Sequence, residues 1–266
     1  MSIDKIFDVD RVTLRFGGVV SLNDVTLHQQ RGEILAIIGP NGAGKTSLFN
    51  SLTGVYQPQE GSVTFCAQPG ESFDVIGKKA HRVAKAGVAR TFQASRMFSA
   101  LTTFENIKIG AESHRGIGAV GAMLRGPGTR RDERKSDGKT IELLRFVGLE
   151  GQANTISSSL SYGDRRRLEI ARALATEPQV LLLDEPAAGT NPSEKLALAD
   201  LIRKVRDVMG VSILLIEHDM KLVMSLAERL YVLNFGSVIA EGTPDEIRAN
   251  RTKNCCRPQV GVHCVK

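Results

Sequence analysis

The sequence predicts an α/β fold: a parallel core sheet, preceded by a small antiparallel β subdomain and interrupted by an inserted α-helical subdomain. Three observations predict it. Residues 34–38, 180–183 and 212–216 are unbroken aliphatic runs, the pattern of strands covered on both faces. Residues 8–16 and 25–30 alternate or nearly alternate apolar and polar side chains on either side of Gly17 and Gly18, the pattern of antiparallel strands with one wet face. About 140 residues separate the first two aliphatic runs, far more than a crossover helix needs, so a further unit is expected between them.

Composition fits this reading. The 266 residues are 42% apolar and 24% charged, ordinary for a globular chain of one large domain or two small ones. The aliphatic runs are strand length, far short of the ~20 residues that a membrane-spanning helix needs. The first ten residues mix acids with apolar side chains and lack the basic-then-apolar order of an export signal, so the chain is expected in the cytoplasm. Cys66 is isolated, and Cys255, Cys256 and Cys264 crowd the end without CxxC spacing, so no disulfide framework is expected. With His263 they are also poorly spaced for zinc. A net charge of +6 is mild and reads as a solvated surface rather than a nucleic-acid footprint.

The run 34–38 delivers the chain to Gly39, Pro40, Asn41, Gly42, Ala43, Gly44, Lys45 and Thr46, which satisfies the P-loop pattern GxxxxGK[ST]. Behind a strand and before a helix, such a loop cradles a polyphosphate with its amides. Lys45 reaches the outer phosphates, Thr46 is placed for Mg²⁺, and Ser47 continues the cradle. The helix that starts at Lys45 points a positive end, worth roughly +0.5 charge, at the same anion. A nucleoside triphosphate is the expected ligand. The run 180–183 ends in Asp184 and Glu185, a Walker B pattern: Asp184 to hold Mg²⁺, usually through water, and Glu185 to orient or deprotonate the attacking water.

Elsewhere the signals are weaker. Residues 110–139, rich in Gly, Arg and Lys, read as a surface connection leading to a helix at 140–146. Thr243, Pro244 and Glu246 form a helix start, with a Thr cap, proline at the first position and a Glu that reaches back. Residues 250–266 show no apolar period and read as a loose tail.

Leu160, Ser161, Tyr162, Gly163 and Asp164 run into the helical sequence 165–175. Ser161 is placed to cap that helix while its hydroxyl and the Gly163 amide face outward, a second anion site at a helix N-terminus. The stretch resembles the LSGGQ signature of the ATP-binding cassette ATPases, at that family's spacing before the Walker B strand, and the resemblance extends over about residues 8–248. It implies a RecA-like P-loop NTPase core (1–92 and 176–249), an inserted helical subdomain (93–175) and a tail (250–266).

The resemblance also implies roles by position. Phe16 matches the aromatic that stacks on adenine. Gln93, in Arg90-Thr91-Phe92-Gln93, matches the glutamine that contacts Mg²⁺ and the lytic water. His218 matches the switch histidine at the γ-phosphate. Ala188, Gly189, Thr190 and Asn191 match the loop that crosses the dimer interface, with Asn191 also readable as an N-cap before Pro192. Ser161 and Gly163 match the grip on a γ-phosphate bound by the opposite subunit. Two residues depart from the pattern. Tyr162 stands for the first glycine, and Asp164 for the glutamine. A carboxylate aimed at a phosphate would repel it, so Asp164 is expected to turn inward, capping amides or meeting an arginine.

The resemblance further implies a nucleotide-sandwich dimer, homo- or heteromeric, docked on separate transmembrane permease subunits at the inner face of the cell membrane. The docking groove is expected around residues 93–104, where 94–97 and 98–104 carry exposed-looking apolar and aromatic side chains. Residues 89–93, 96–98, 110–139, 161–173 and 184–192 look like the ATPases of branched-chain amino acid importers, which an external solute-binding protein serves indirectly. Residues 254–266 do not look like that family's usual ending. Another cargo, such as urea, short amides or exported lipid, is an alternative. So is a cassette clamp acting on nucleic acid or ribosomes, although a single cassette without heptads argues against it.

Overall fold

A computed structural model describes residues 4–68, 70–91, 97–113 and 127–249. It contains two sheets. The smaller is antiparallel, with strand order β2-β1-β4-β5, from β1 (Lys5–Phe16), β2 (Val19–Gln30), β4 (Glu60–Gln68) and β5 (Glu71–Asp74). The larger has order β10-β9-β3-β8-β7-β6, from β3 (Ile34–Ile38), β6 (Val88–Arg90), β7 (Val180–Asp184), β8 (Ser212–Ile216), β9 (Arg229–Asn234) and β10 (Ser237–Gly242). Its strands are parallel except for β10, which turns back along β9.

Every residue of β3, β7 and β8 is buried. Side chains alternate faces along a strand, so each aliphatic run divides between two cores. Ile34, Ala36, Ile38, Leu181, Leu183, Ile213 and Leu215 join the core on the helical side. Leu35, Ile37, Val180, Leu182, Leu214 and Ile216 join the core that the antiparallel sheet covers, with Phe7, Phe49 and Phe65. Burying a Leu or Ile from water contributes about 1.5–3 kcal/mol, so these runs need both covers, and the small sheet is one of them.

The helices are α1 (Lys45–Leu52), α2 (Ala80–Lys85), α3 (Thr103–Glu112), α4 (Pro127–Phe146), α5 (Tyr162–Leu174), α6 (Pro192–Met209), α7 (Met220–Leu226) and α8 (Pro244–Ala249). Between β6 and β7, α3 packs on both α4 and α5. Caps fix several helix starts where the sequence marks them. Asn191 Oδ1 accepts the Glu194 N–H at 2.9 Å while Glu194 Oε2 accepts the Asn191 N–H at 2.9 Å, with Pro192 at the first position. Thr243 and Glu246 exchange the same pair of contacts, at 2.7 and 3.4 Å, ahead of α8.

Three expectations change. The sequence reads 110–139 as a connection, but α4 already begins at Pro127. From Glu133 to Asp137 it is tied to α3 by charge. Lys108 of α3 pairs with Asp137 at 2.7 Å and Glu133 at 4.0 Å, and Thr140 donates to the Ser136 carbonyl at 2.8 Å. A helix joined to its neighbour by ion pairs has no hydrophobic period to read. Second, β1 and β2 extend beyond 8–16 and 25–30, because the strands pair from Lys5 to Phe16 across irregular registers that break the alternation. Third, not all of 98–104 is exposed. Phe98 is half exposed, while Met97 and Phe104 pack partly buried against the core. Residues 94–96, the rest of the expected docking stretch, and the tail 250–266 lie outside the described residues, as does Gln93.

Among the described residues no helix is long and apolar enough to cross a membrane. At the start of α3, Thr102 Oγ1 accepts the Glu105 N–H at 3.2 Å, and Glu105 Oε2 accepts the Thr102 N–H at 2.8 Å. Replacing Thr102 with Ala removes this cap and is expected to lower stability by about 1 kcal/mol. Urea denaturation, with an unchanged slope, measures it.

Candidate functional site

The phosphate-loop sequence sits at the carboxyl end of β3, and its shape depends on close backbone approach. Gly44 has φ 101°, and a Cβ there would stand 2.6 Å from the Ser21 carbonyl oxygen of β2. On the far side the Gly236 N–H donates to the Ala43 carbonyl at 3.0 Å. Lys45 is buried, and its Nζ donates to the carbonyls of Gly39 and Pro40 at 2.7 and 2.8 Å, so the ammonium is held within the loop. The Ser47 hydroxyl lies 2.7 Å from that of Ser21. Ser21, Ala43, Gly44, Lys45 and Ser47 form one wall of an open cleft of about 310 Å³ that Asn41, Gly42, Thr46, Glu185 and His218 also line.

The opposite wall follows from sheet register. Asp184 is level with Ile216, and the Glu185 N–H donates to the Ile216 carbonyl at 2.9 Å. Asp184 is buried, and its Oδ2 accepts from Arg90 at 2.8 Å; Arg90 also donates to Asn50 Oδ1 at 2.5 Å and lies over the Phe49 ring. Glu185 takes a left-handed backbone, φ 48°, which lifts its carboxylate toward the next loop. There Oε1 lies 2.7 Å from His218 Nε2. A carboxylate only accepts, so Nε2 is assigned the ring hydrogen. Glu217, buried beside it, accepts the Ala187 N–H at 2.7 Å with Oε1, and the His218 and Asp219 N–H groups at 3.0 and 3.3 Å with Oε2.

Ser161, Gly163 and Phe16 lie outside the lining of this cleft. Ser161 caps α5, accepting the Asp164 N–H at 3.1 Å. Asp164 turns its carboxylate back along the helix, where it accepts from the Ser161 hydroxyl at 2.8 Å and Gln152 at 3.1 Å and stands 3.4 Å from Arg167. At Gly163 a Cβ would meet Glu194 Oε1 at 2.8 Å, so a larger residue there would have to displace the Glu194 side chain that caps α6. The Tyr162 ring lies against Gly189, and its hydroxyl accepts from Arg166 at 2.7 Å. Phe16, at the end of β1, is 47% exposed and meets Tyr56 edge-on, with centroids 5.0 Å apart.

Two larger cavities lie elsewhere. One of about 960 Å³ is lined by Lys139, Phe146, Glu177 and Met209. Another of about 560 Å³, lined by Arg90, Phe98, Glu169 and Arg172, runs between the helical segment and the core sheet. Neither contains a glycine loop behind a strand, so volume is a poorer guide than chemistry here. Sequence reasoning passed over Ser21, Arg90 and Glu217. Only Glu217 left a trace, as an acid directly after a buried strand and before His218.

A glycine loop gripping a lysine at the end of the buried parallel strand β3, facing a carboxylate–histidine pair on the loops after β7 and β8, defines a P-loop nucleotide-binding protein. The capped, outward start of α5 narrows the class. A family model described as ABC transporter matches residues 22–188, and the chain belongs to that family; it is a nucleotide-binding ATPase. The branched-chain amino acid transport ATP-binding protein LivG of Salmonella typhimurium is 44% identical over 242 residues, 91% of this chain and 93% of the relative. BraF of Pseudomonas aeruginosa, of the same description, is 43% identical over 245 residues, 92% and 94%. Among solved structures, a nucleotide-free ATP-binding cassette of an ABC transporter superposes with TM-score 0.80 at 28% identity, covering 95% of this chain and 98% of that one. A cassette in its ADP conformation does so equally.

Gly44→Ala is expected to weaken ATP binding at least tenfold, because its Cβ cannot coexist with the Ser21 carbonyl and the positive φ. Titration with a fluorescent ATP analogue checks this.

Proposed function

We propose that the chain is the ATP-hydrolysing subunit of an importer of branched-chain or other hydrophobic amino acids. It works as a nucleotide-sandwich dimer, homo- or heteromeric, on the cytoplasmic face of the cell membrane. Separate permease subunits carry the cargo, and an external solute-binding protein delivers it. The observation that carries this reading is the near-full-length likeness to relatives that bear such a name, together with a site that retains the P-loop, Glu185 and His218.

The mechanism follows from the residues. ATP phosphates enter the cleft at the N-terminus of α1, where the loop amides and the helix dipole favour negative charge. Lys45 swings from the Gly39 and Pro40 carbonyls, which it reaches at 2.7 and 2.8 Å, onto the outer phosphates. Phe16, half exposed at the hairpin end, stacks on adenine. Glu185 accepts a proton from the attacking water while His218, bonded to it at 2.7 Å, keeps the carboxylate aimed and donates toward the γ-phosphate as that bond is exchanged.

The donor set fits Mg²⁺, a hard cation that takes oxygen ligands and keeps several waters. Thr46 lines the cleft, and Asp184 ends β7, two strands from β3, with one oxygen accepting from Arg90. Thr46, Asp184 and Gln93 would hold the ion, which when bound neutralises phosphate charge.

Ser161 and the Gly163 amide, on a helix start outside the cleft, grip the γ-phosphate bound by a second subunit. ATP therefore closes the dimer, and hydrolysis removes that contact and lets it open. The groove lined by Arg90, Phe98 and Arg172 is where a permease segment docks.

Glu185→Gln is expected to reduce turnover by roughly 10² to 10⁴ while sparing ATP binding, and to trap a dimer visible by size-exclusion chromatography. Undiminished hydrolysis rejects Glu185 as the base. For the transport role, the chain should co-purify from membranes with two multi-span subunits, and cells bearing Lys45→Ala should lose uptake of labelled leucine but not of urea. Salt-sensitive nucleic-acid binding without membrane association would overturn it.

A further inference from the structure

Glu185 and His218 sit on separate loops, after β7 and after β8, yet their side chains meet at 2.7 Å. Contact at that distance requires the two loops to be placed within a few tenths of an ångström of each other. Strand pairing fixes them only as far as Ile216 and the Glu185 amide. Beyond that point Glu217 takes over. Its side chain, 4% exposed, belongs to the His218 loop and braces that loop through Oε2 on the His218 and Asp219 amides. Its other oxygen, Oε1, reaches across to the Ala187 amide, two residues beyond Glu185.

A second tie lies further along. Lys195 in α6 pairs with Asp219 at 2.7 Å, and each shifts the other toward its charged form: the Lys195 ammonium is held above its ordinary pKa and the Asp219 carboxyl below. Residues 188–191 are thus fastened to the His218 loop at both ends.

We propose that Glu217 is a positioning residue for ATP hydrolysis. It locks the His218 loop to the loop that carries Glu185, and with the Lys195–Asp219 pair makes residues 185–191 and 217–219 move as one body. A shift imposed on 188–191 then changes the placement of His218. The inference rests on Glu185 and His218 being the hydrolytic pair. A carboxylate suits the task because it offers acceptors at both ends. A glutamine offers one acceptor and one donor, so whichever way it flips its NH₂ faces an amide N–H and one loop is released.

The test uses the full chain bearing Glu217→Gln, with Glu185→Gln in parallel. Glu217→Gln is expected to lower kcat tenfold or more while the affinity for a fluorescent ATP analogue changes less than threefold. The ¹⁵N signals of the His218 ring should move from a fixed Nε2–H tautomer toward a mixture. If Glu217→Gln does not fold, Lys195→Met provides the measurement: a several-fold loss of kcat at constant affinity, with the same drift of the His218 signals. Turnover within twofold of the parent and an unmoved His218 spectrum, beside an inactive Glu185→Gln, would overturn the positioning role. Equal losses of affinity and kcat with a lowered melting temperature would also overturn it, as the mark of a merely structural residue. Full turnover in Glu185→Gln would instead bring down the assignment of the hydrolytic pair beneath it.

Discussion

Parallel register is the constraint on which the rest depends. Ile37 of β3 is level with Ile216 of β8, and Ile216 with Asp184 of β7. Three buried strands therefore end at one height, and the residues that follow them, the glycine loop, Glu185 and Glu217–His218, emerge at one edge of the sheet. Nothing in those loops alone would bring them together. The ladder is held by aliphatic residues on both faces, so each cover, the helices on one side and the antiparallel sheet on the other, is also a support for the chemistry.

Within that frame, buried charges give placement more than stability. Arg90 and Asp184, with side chains 8% and 5% exposed, and Arg166 and Glu169, at 6% and 4%, are withdrawn from water at a desolvation cost that their attraction does little more than offset. What each pair gains is a fixed position. Arg90 fastens the last residue of β6 to the end of β7, next to the segment that leads to Gln93. Arg166 holds the Tyr162 hydroxyl, and with it the ring that lies on Gly189. A line of contacts thus joins the helical segment to the loop following Glu185.

What could be read from the chain divides along the same boundary. The glycine loop, the Asp184–Glu185 pair and the Asn191 and Thr243 caps are local patterns, formed by residues within a few positions of each other, and the structure shows them where the sequence places them. Glu217 acts through a backbone amide thirty residues away, and Ser21 through a hydroxyl on another element. Spacing carries no trace of such contacts. The stretch of α4 around Glu133 and Asp137 escaped for a different reason: both acids face a lysine on α3, and such pairing leaves charge without an apolar period in the sequence.

Glu185 shows what such placement requires of the backbone. Its φ of 48° belongs to a region that side chains with a Cβ avoid, at a cost on the order of 1 kcal/mol or more. A glycine would relax this turn and remove the carboxylate with it. Selection for thermal robustness alone would therefore push this position toward glycine, and with Glu185 as the proposed base, a library screened only for melting temperature would enrich for chains that fold better and have lost that base.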